Sequence, residues 1–136
     1  MTEQRREFAA EGPSVARALE AMLRELLAAL RSVPDRDEAA DRSVKVRAEG
    51  DSLPGVVTHL IEQIGTIGAD FDEYPIQITI EGFREQGGEV RVWGVAGLAQ
   101  DAGDPPTLKI LTPPEITPVQ GGWRISVSVA ISGDDL

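Results

Sequence analysis

This 136-residue chain holds one imidazole, His59, and no cysteine. Without cysteine there is no disulfide, no thiolate nucleophile and no zinc–thiolate site, so metal chemistry would fall to oxygen ligands and one histidine. His59 has Thr58, Glu62 and Gln63 as helix neighbours, which puts it near a polar side, and no Ser or Cys motif stands where an imidazole would activate it. A solvated or rim histidine is the expected role. Asp70, Asp72 and Glu73 form an acidic cluster around Phe71, yet the spacing lacks the other ligands and the central glycine of an EF-hand loop. Gly94, Gly97 and the loop from Asp101 to Pro106 do not follow a strand-to-helix context, as a phosphate-binding glycine motif would require. No nucleophile–base pair and no carboxylate–metal set can be assembled, so a non-enzymatic protein without a cofactor is expected. The residues best suited to touch a partner are Arg5, Arg6, His59 and Trp93; for Trp93 and Trp123 packing on a sheet is the first expectation and a partner-facing hot spot the second.

Charge narrows the partners. The formal net charge is −10; residues 1–50 carry 9 Lys/Arg against 10 Asp/Glu, whereas residues 51–136 carry 4 against 13. An acidic field repels a phosphate backbone, so direct nucleic-acid binding is not expected, the arginines of the first half apart. No apolar run approaches the length of a membrane span. The charged N-terminus, Met1 to Glu11, lacks the apolar core of a secretory signal, and a cytoplasmic location is expected.

These residues have to be held by regular elements, and the apolar periodicity shows which. Val15, Leu19, Met22, Leu26 and Leu30 recur at steps of three and four, widened by Ala18, Leu23 and Leu27, which predicts an amphipathic helix over Ser14 to Arg31. Glu20 and Arg24 are ordered as a favourable i,i+4 pair on its wet face. Pro34 and the run Asp35 to Arg42 read as a solvated connection. From Val44 the period becomes two, with Val44, Val46 and Ala48 opposite Lys45, Arg47 and Glu49, so a strand with one buried side is predicted. Gly50-Asp51-Ser52 then supplies a turn and cap, and Val56, Val57, Leu60, Ile61, Ile64 and Ile67 form a second helical stripe.

The remainder is β. Ile76, Ile78 and Ile80 alternate with polar residues, Gly87-Gly88 makes a hairpin turn, and Val90 and Val92 resume the alternation. Leu108 and Ile110 open a further strand that should end before Pro113-Pro114, and Trp123, Ile125, Val127, Val129 and Ile131 mark the last one. At an offset of 38, Phe8-Ala9-Ala10-Glu11-Gly12-Pro13-Ser14 matches Val46-Arg47-Ala48-Glu49-Gly50-Asp51-Ser52, and Leu19, Leu23 and Leu26 fall on Val57, Ile61 and Ile64. The expected fold is therefore a single α+β domain over 1–136. It has two strand-helix repeats, 5–31 and 43–68, then antiparallel strands over 74–131, with the helices side by side on one face of a mostly antiparallel sheet.

Ala48-Glu49-Gly50-Asp51-Ser52-Leu53 before an apolar helix, Val92-Trp93-Gly94, Leu108-Lys109-Ile110-Leu111-Thr112, and Pro118-Val119 ahead of Trp123 together resemble the archease family along almost the whole chain. That resemblance implies a non-enzymatic accessory protein whose partner is an RtcB-type RNA ligase acting in tRNA processing. The family's functional positions are changed. Its His-Thr-Ala-Asp motif falls on Thr2-Glu3-Gln4-Arg5, its acidic helix position on His59, its last-strand aspartate on Ala130, and its tyrosine and histidine on Pro113 and Pro114. A guanidinium, an imidazole and a methyl group do not make a hard-cation site. Arg5, His59 and Ala130 are thus expected near one another, holding no metal.

Overall fold

The computed structural model describes residues 2–30, 42–67, 73–100 and 107–133. The charged connection after Leu30, Asp70 and Asp72 of the acidic cluster, and the loop Asp101 to Pro106 lie outside the described residues. The elements run in the order β1 (Thr2–Gly12), α1 (Val15–Leu30), β2 (Arg42–Gly50), α2 (Leu53–Thr66), β3 (Glu73–Gln86), β4 (Glu89–Gln100), β5 (Thr107–Val119) and β6 (Gly122–Gly133). The architecture is α+β with antiparallel pairing throughout, as the sequence implies.

The strands form two three-stranded sheets rather than one: β1-β6-β5 and β2-β4-β3. Each helix packs on both. The helix α1 lies against β1 and β6 of the first sheet and β3 of the second, while α2 lies against β2 and β4 of the second and β5 of the first. The width of the apolar stripes explains this. Val15, Ala18, Leu19, Met22, Leu23, Leu26 and Leu27 are all buried on α1, as are Val56, Val57, Leu60, Ile61 and Ile64 on α2, an arc too broad for a single sheet to cover.

The duplication is visible in the element boundaries. Gly12 and Gly50 end the first two strands and Val15 and Leu53 begin the two helices, each pair 38 apart. Ser14 and Ser52 both use the side-chain oxygen as a cap, accepting from the backbone N–H of Arg17 and Gly55 respectively at 3.2 Å. A second repeat covers the hairpins. Gly88 and Gly121, 33 apart, hold φ of 80° and 84° in the two turns, and strand register follows, with Phe8 opposite Val127 where Val46 is opposite Gly94. The molecule is built from two like units, β1-α1 with β5-β6 and β2-α2 with β3-β4.

β5 continues through Pro113-Pro114 to Val119 instead of ending before them. It is an edge strand, paired only with β6, so a residue without an N–H is tolerated there. Register shifts between Ile110 and Thr112 and between Thr112 and Glu115 leave both prolines without a direct partner on β6.

Glu20 departs further from expectation. Its pair with Arg24 exists, at 3.4 Å, but Glu20 is buried rather than on the wet face. Its carboxylate accepts from the Ile80 N–H at 2.8 Å and from Arg17 at 3.0 Å, and Arg17 also donates to the Ile80 carbonyl. Ile80 adjoins a bulge in β3, the outer strand of its sheet, so its outward backbone groups have no strand partner there. The carboxylate and guanidinium of α1 satisfy both. Truncating Glu20 would leave a buried N–H without its acceptor and take the carboxylate from Arg17 and Arg24. Glu20→Ala is expected to lower unfolding free energy by about 2 kcal/mol or more, read from urea denaturation, while Glu20→Gln, which keeps an acceptor, loses less.

Candidate functional site

In the first sheet, Phe8 opposite Val127 and Ala10 opposite Ile125 face the helices. Alternation therefore turns Glu3, Arg5 and Glu7 of β1 and Arg124, Ser126, Ser128, Ala130 and Ser132 of β6 to the outer face. Arg5 and Ala130 are direct cross-strand partners, and Lys109 of β5 lies across Ala130 from Arg5. The middle strand carries small residues and its neighbours carry long ones, so the face is a shallow trough whose walls at this row are two cations. Arg5 is exposed and reaches Glu3 at 3.8 Å, an ion pair of little energetic weight.

The other predicted residues separate. Arg6 has the parity of Phe8 and sits on the helix side, at the rim, with its guanidinium 5.0 Å from the Phe8 ring centre. Adjacent in sequence, Arg5 and Arg6 thus belong to opposite faces and make no single patch. His59 is exposed on α2, which packs beneath the helix-facing side of β5, with Gly65 against Leu108. The structure brings Arg5 and Ala130 together and leaves His59 on the other side of the sheet. Glu73 of the acidic cluster is engaged with Arg42 at 2.6 Å, tying the start of β3 to that of β2 across β4. Pro113 lines a groove of about 510 Å³ between α2 and β5, with Thr58, Glu62, Leu108 and Thr112. By the two offsets this groove occupies the place that Arg17 and Glu20 fill in the first unit.

A divalent cation does not fit the outer row. With Arg5 at ~5 Å from a dication and an effective dielectric near 20, repulsion would be about 7 kcal/mol, and Lys109 adds to it. Among the described residues no group of three or more His, Cys, Asp or Glu side chains could hold a metal ion.

The second sheet holds what the sequence reading placed only in part. Trp93 is exposed, 40%, on the outer face of β4, with Arg47 of β2 opposite it on one side and Gly82 of β3 on the other. Lys45, Arg84 and Arg91 share that face. Arg91 is hydrogen-bonded to Glu89, which with Glu49 raises its pKa above the ordinary guanidinium value and keeps it charged. The signal was present as the alternation Lys45-Val46-Arg47 and Arg91-Val92-Trp93, once β2 and β4 are known to be neighbours.

No protein-family model matches the chain, and no curated protein matches it. A solved structure does: the solution structure of protein 1598 of Methanobacterium thermoautotrophicum superposes with a TM-score of 0.60 over 98% of this chain and 94% of that one, at 14% identity. At that identity the likeness defines a shared α+β fold and nothing narrower.

In calorimetric titration with manganese or calcium, the protein is expected to show no stoichiometric micromolar site. Arg5→Asp with Ala130→Asp, two carboxylates on directly opposed positions, should introduce weak measurable affinity. A tight site in the unaltered protein would contradict the reading of the row.

Proposed function

We propose that this chain is a non-enzymatic accessory protein of archease type, acting on a partner enzyme of the RtcB RNA-ligase class without a metal of its own. The observation that carries the reading is spatial. Arg5 and Ala130, which the resemblance aligns with two acidic positions at opposite ends of the chain, are direct partners across β1 and β6. Lys109, which belongs to the Lys-x-x-Thr stretch of the same resemblance, completes the row. Segments aligned separately at Arg5, Ala130 and Lys109 thus meet in one place, although His59, aligned with a further acidic position, does not join them.

The same row favours a second reading. A cation, Arg5, and a methyl group, Ala130, stand where the resemblance has carboxylates, so a module kept for another protein contact or a small ligand, its ligase role gone, has a specific basis in this row. Contact with a ligase would then have to rest on shape and on charge pairing from side chains such as Arg5, not on a bridging ion.

The deciding experiment adds the purified protein to the RtcB-type ligase of the same organism and follows guanylylation and multiple-turnover joining. An accessory role predicts acceleration that survives chelation of any metal bound by this chain, and that is lost in Arg5→Glu. No co-purification and no rate change would remove the ligase reading in favour of the repurposed module. Turnover of RNA by this chain alone would contradict both.

A further inference from the structure

The outer face of the second sheet is open. Val90, Val92, Ala96 and Leu98 of β4 are buried towards the helices, so Arg91, Trp93 and Val95 point away, and both helices pack on the opposite side. Among the described residues nothing lies across Trp93.

The indole has a seat. A Cβ built on Gly82 would stand 2.1 to 2.8 Å from three atoms of its six-membered ring, so the ring passes directly over the Gly82 α-carbon. One π-face rests on the backbone of β3 and the other is presented outward. Covering a strand glycine in this way stabilises the hairpin, and it also fixes the ring flat. No arginine or lysine is stacked on the outward face among the described residues; the guanidinium-ring contact there is that of Arg6 with Phe8.

Three cations surround it. Lys45 and Arg47 on β2 and Arg84 on β3 have side chains without an ion pair among the described residues, whereas Arg91 is neutralised by Glu49 and Glu89. Strand spacing sets the β2 and β3 cations roughly 10 Å apart on either side of β4. In a chain of net charge −10 this face therefore runs against the prevailing sign. The acidic remainder is felt weakly at contact range, since the screening length is about 8 Å at physiological ionic strength.

We propose that this face binds single-stranded nucleic acid, with one base stacked on Trp93 and the flanking phosphates held by Arg47, Lys45 and Arg84. An open, flat ring bordered by free cations is complementary to an unpaired base between two phosphates. A duplex keeps its base faces stacked and offers this ring only an edge or a groove. The contact is independent of the ligase reading and of the Arg5 row on the other sheet.

The test uses Trp123→Phe protein, in which Trp93 is the one remaining tryptophan. A short oligouridylate or oligothymidylate at low ionic strength should quench Trp93 emission saturably, and log K against log salt should fall with a slope of about −2, as three phosphate contacts to a single strand require. Arg47→Glu with Arg84→Glu, both exposed and remote from the core, should weaken binding at least tenfold with unchanged circular dichroism. Read by the fluorescence anisotropy of an end-labelled oligonucleotide, since these variants remove the reporting indole, Trp93→Leu, which still covers Gly82, should weaken binding about tenfold or more, and Trp93→Phe by less. Absence of quenching by either oligonucleotide would overturn the proposal. So would equal quenching by inorganic polyphosphate, tighter binding of the matching duplex, or unchanged binding by Trp93→Leu. A charge-reversed variant that binds oligonucleotide normally but no longer affects a ligase would reassign the face to a protein contact.

Discussion

A single carboxylate spans the boundary between the two units. Glu20 belongs to α1, which follows β1 of the first sheet, and it accepts the backbone N–H of Ile80 in β3 of the second. Apolar contacts hold the helix layer between the sheets, but they are non-directional and would tolerate some sliding. A charge-assisted bond to one particular amide does not. Because Arg17 grips the carbonyl of the same residue, the bulge after Ile80 is fixed in position, and with it Gly82 and the ring that lies on it. The orientation of Trp93 thus depends on a helix packed on the opposite side of the sheet.

The two units have diverged at this very joint. Where α1 offers Arg17 and Glu20 to the neighbouring outer strand, the offset of 38 puts Gly55 and Thr58 on α2, and neither can reach as far. The strand they face is β5 at Pro113-Pro114, two successive residues with no N–H to satisfy. A clamp has less to hold, and an open groove remains. One joint is therefore polar and closed, the other wide and partly apolar, although both derive from the same arrangement of helix on strand.

Much of this was legible beforehand, for reasons that can be named. Periods of 3.6 and 2 located both helices and the first strands because each element buries one side, and Gly87-Gly88 marked its hairpin because that turn needs positive φ at both residues. What periodicity does not encode is which strands are neighbours. The division into two sheets follows from β6 joining β1 and β4 joining β2, contacts between residues far apart in the chain. Glu20 was misplaced on the wet side because charge alone predicts exposure, and the orphaned amide that draws it inward exists only in the folded β3. For the outer row, the alignment of Arg5 with Ala130 was recoverable through family resemblance, whereas His59 was not separable from them until α2 was seen beneath the other face. Trp93 was identifiable as a candidate, but its cationic neighbours on β2 and β3 required the register.

The order of units along the chain has a consequence for biosynthesis. The second unit is contiguous, from β2 to β4, whereas the first is divided, its strand-helix half at Thr2–Leu30 and its hairpin half at Thr107–Gly133. One unit is nested within the other. On a translating ribosome β2, α2, β3 and β4 can meet as soon as they emerge, and α1 already has β3 to lean on. β1 has no strand beside it until β6, the last element, has been made. Until then its edge and part of the α1 stripe stay uncovered, the state in which strand-rich chains are most exposed to pairing with one another. The alternating charges of Glu3, Arg5, Arg6 and Glu7 along that waiting strand are well placed to discourage it.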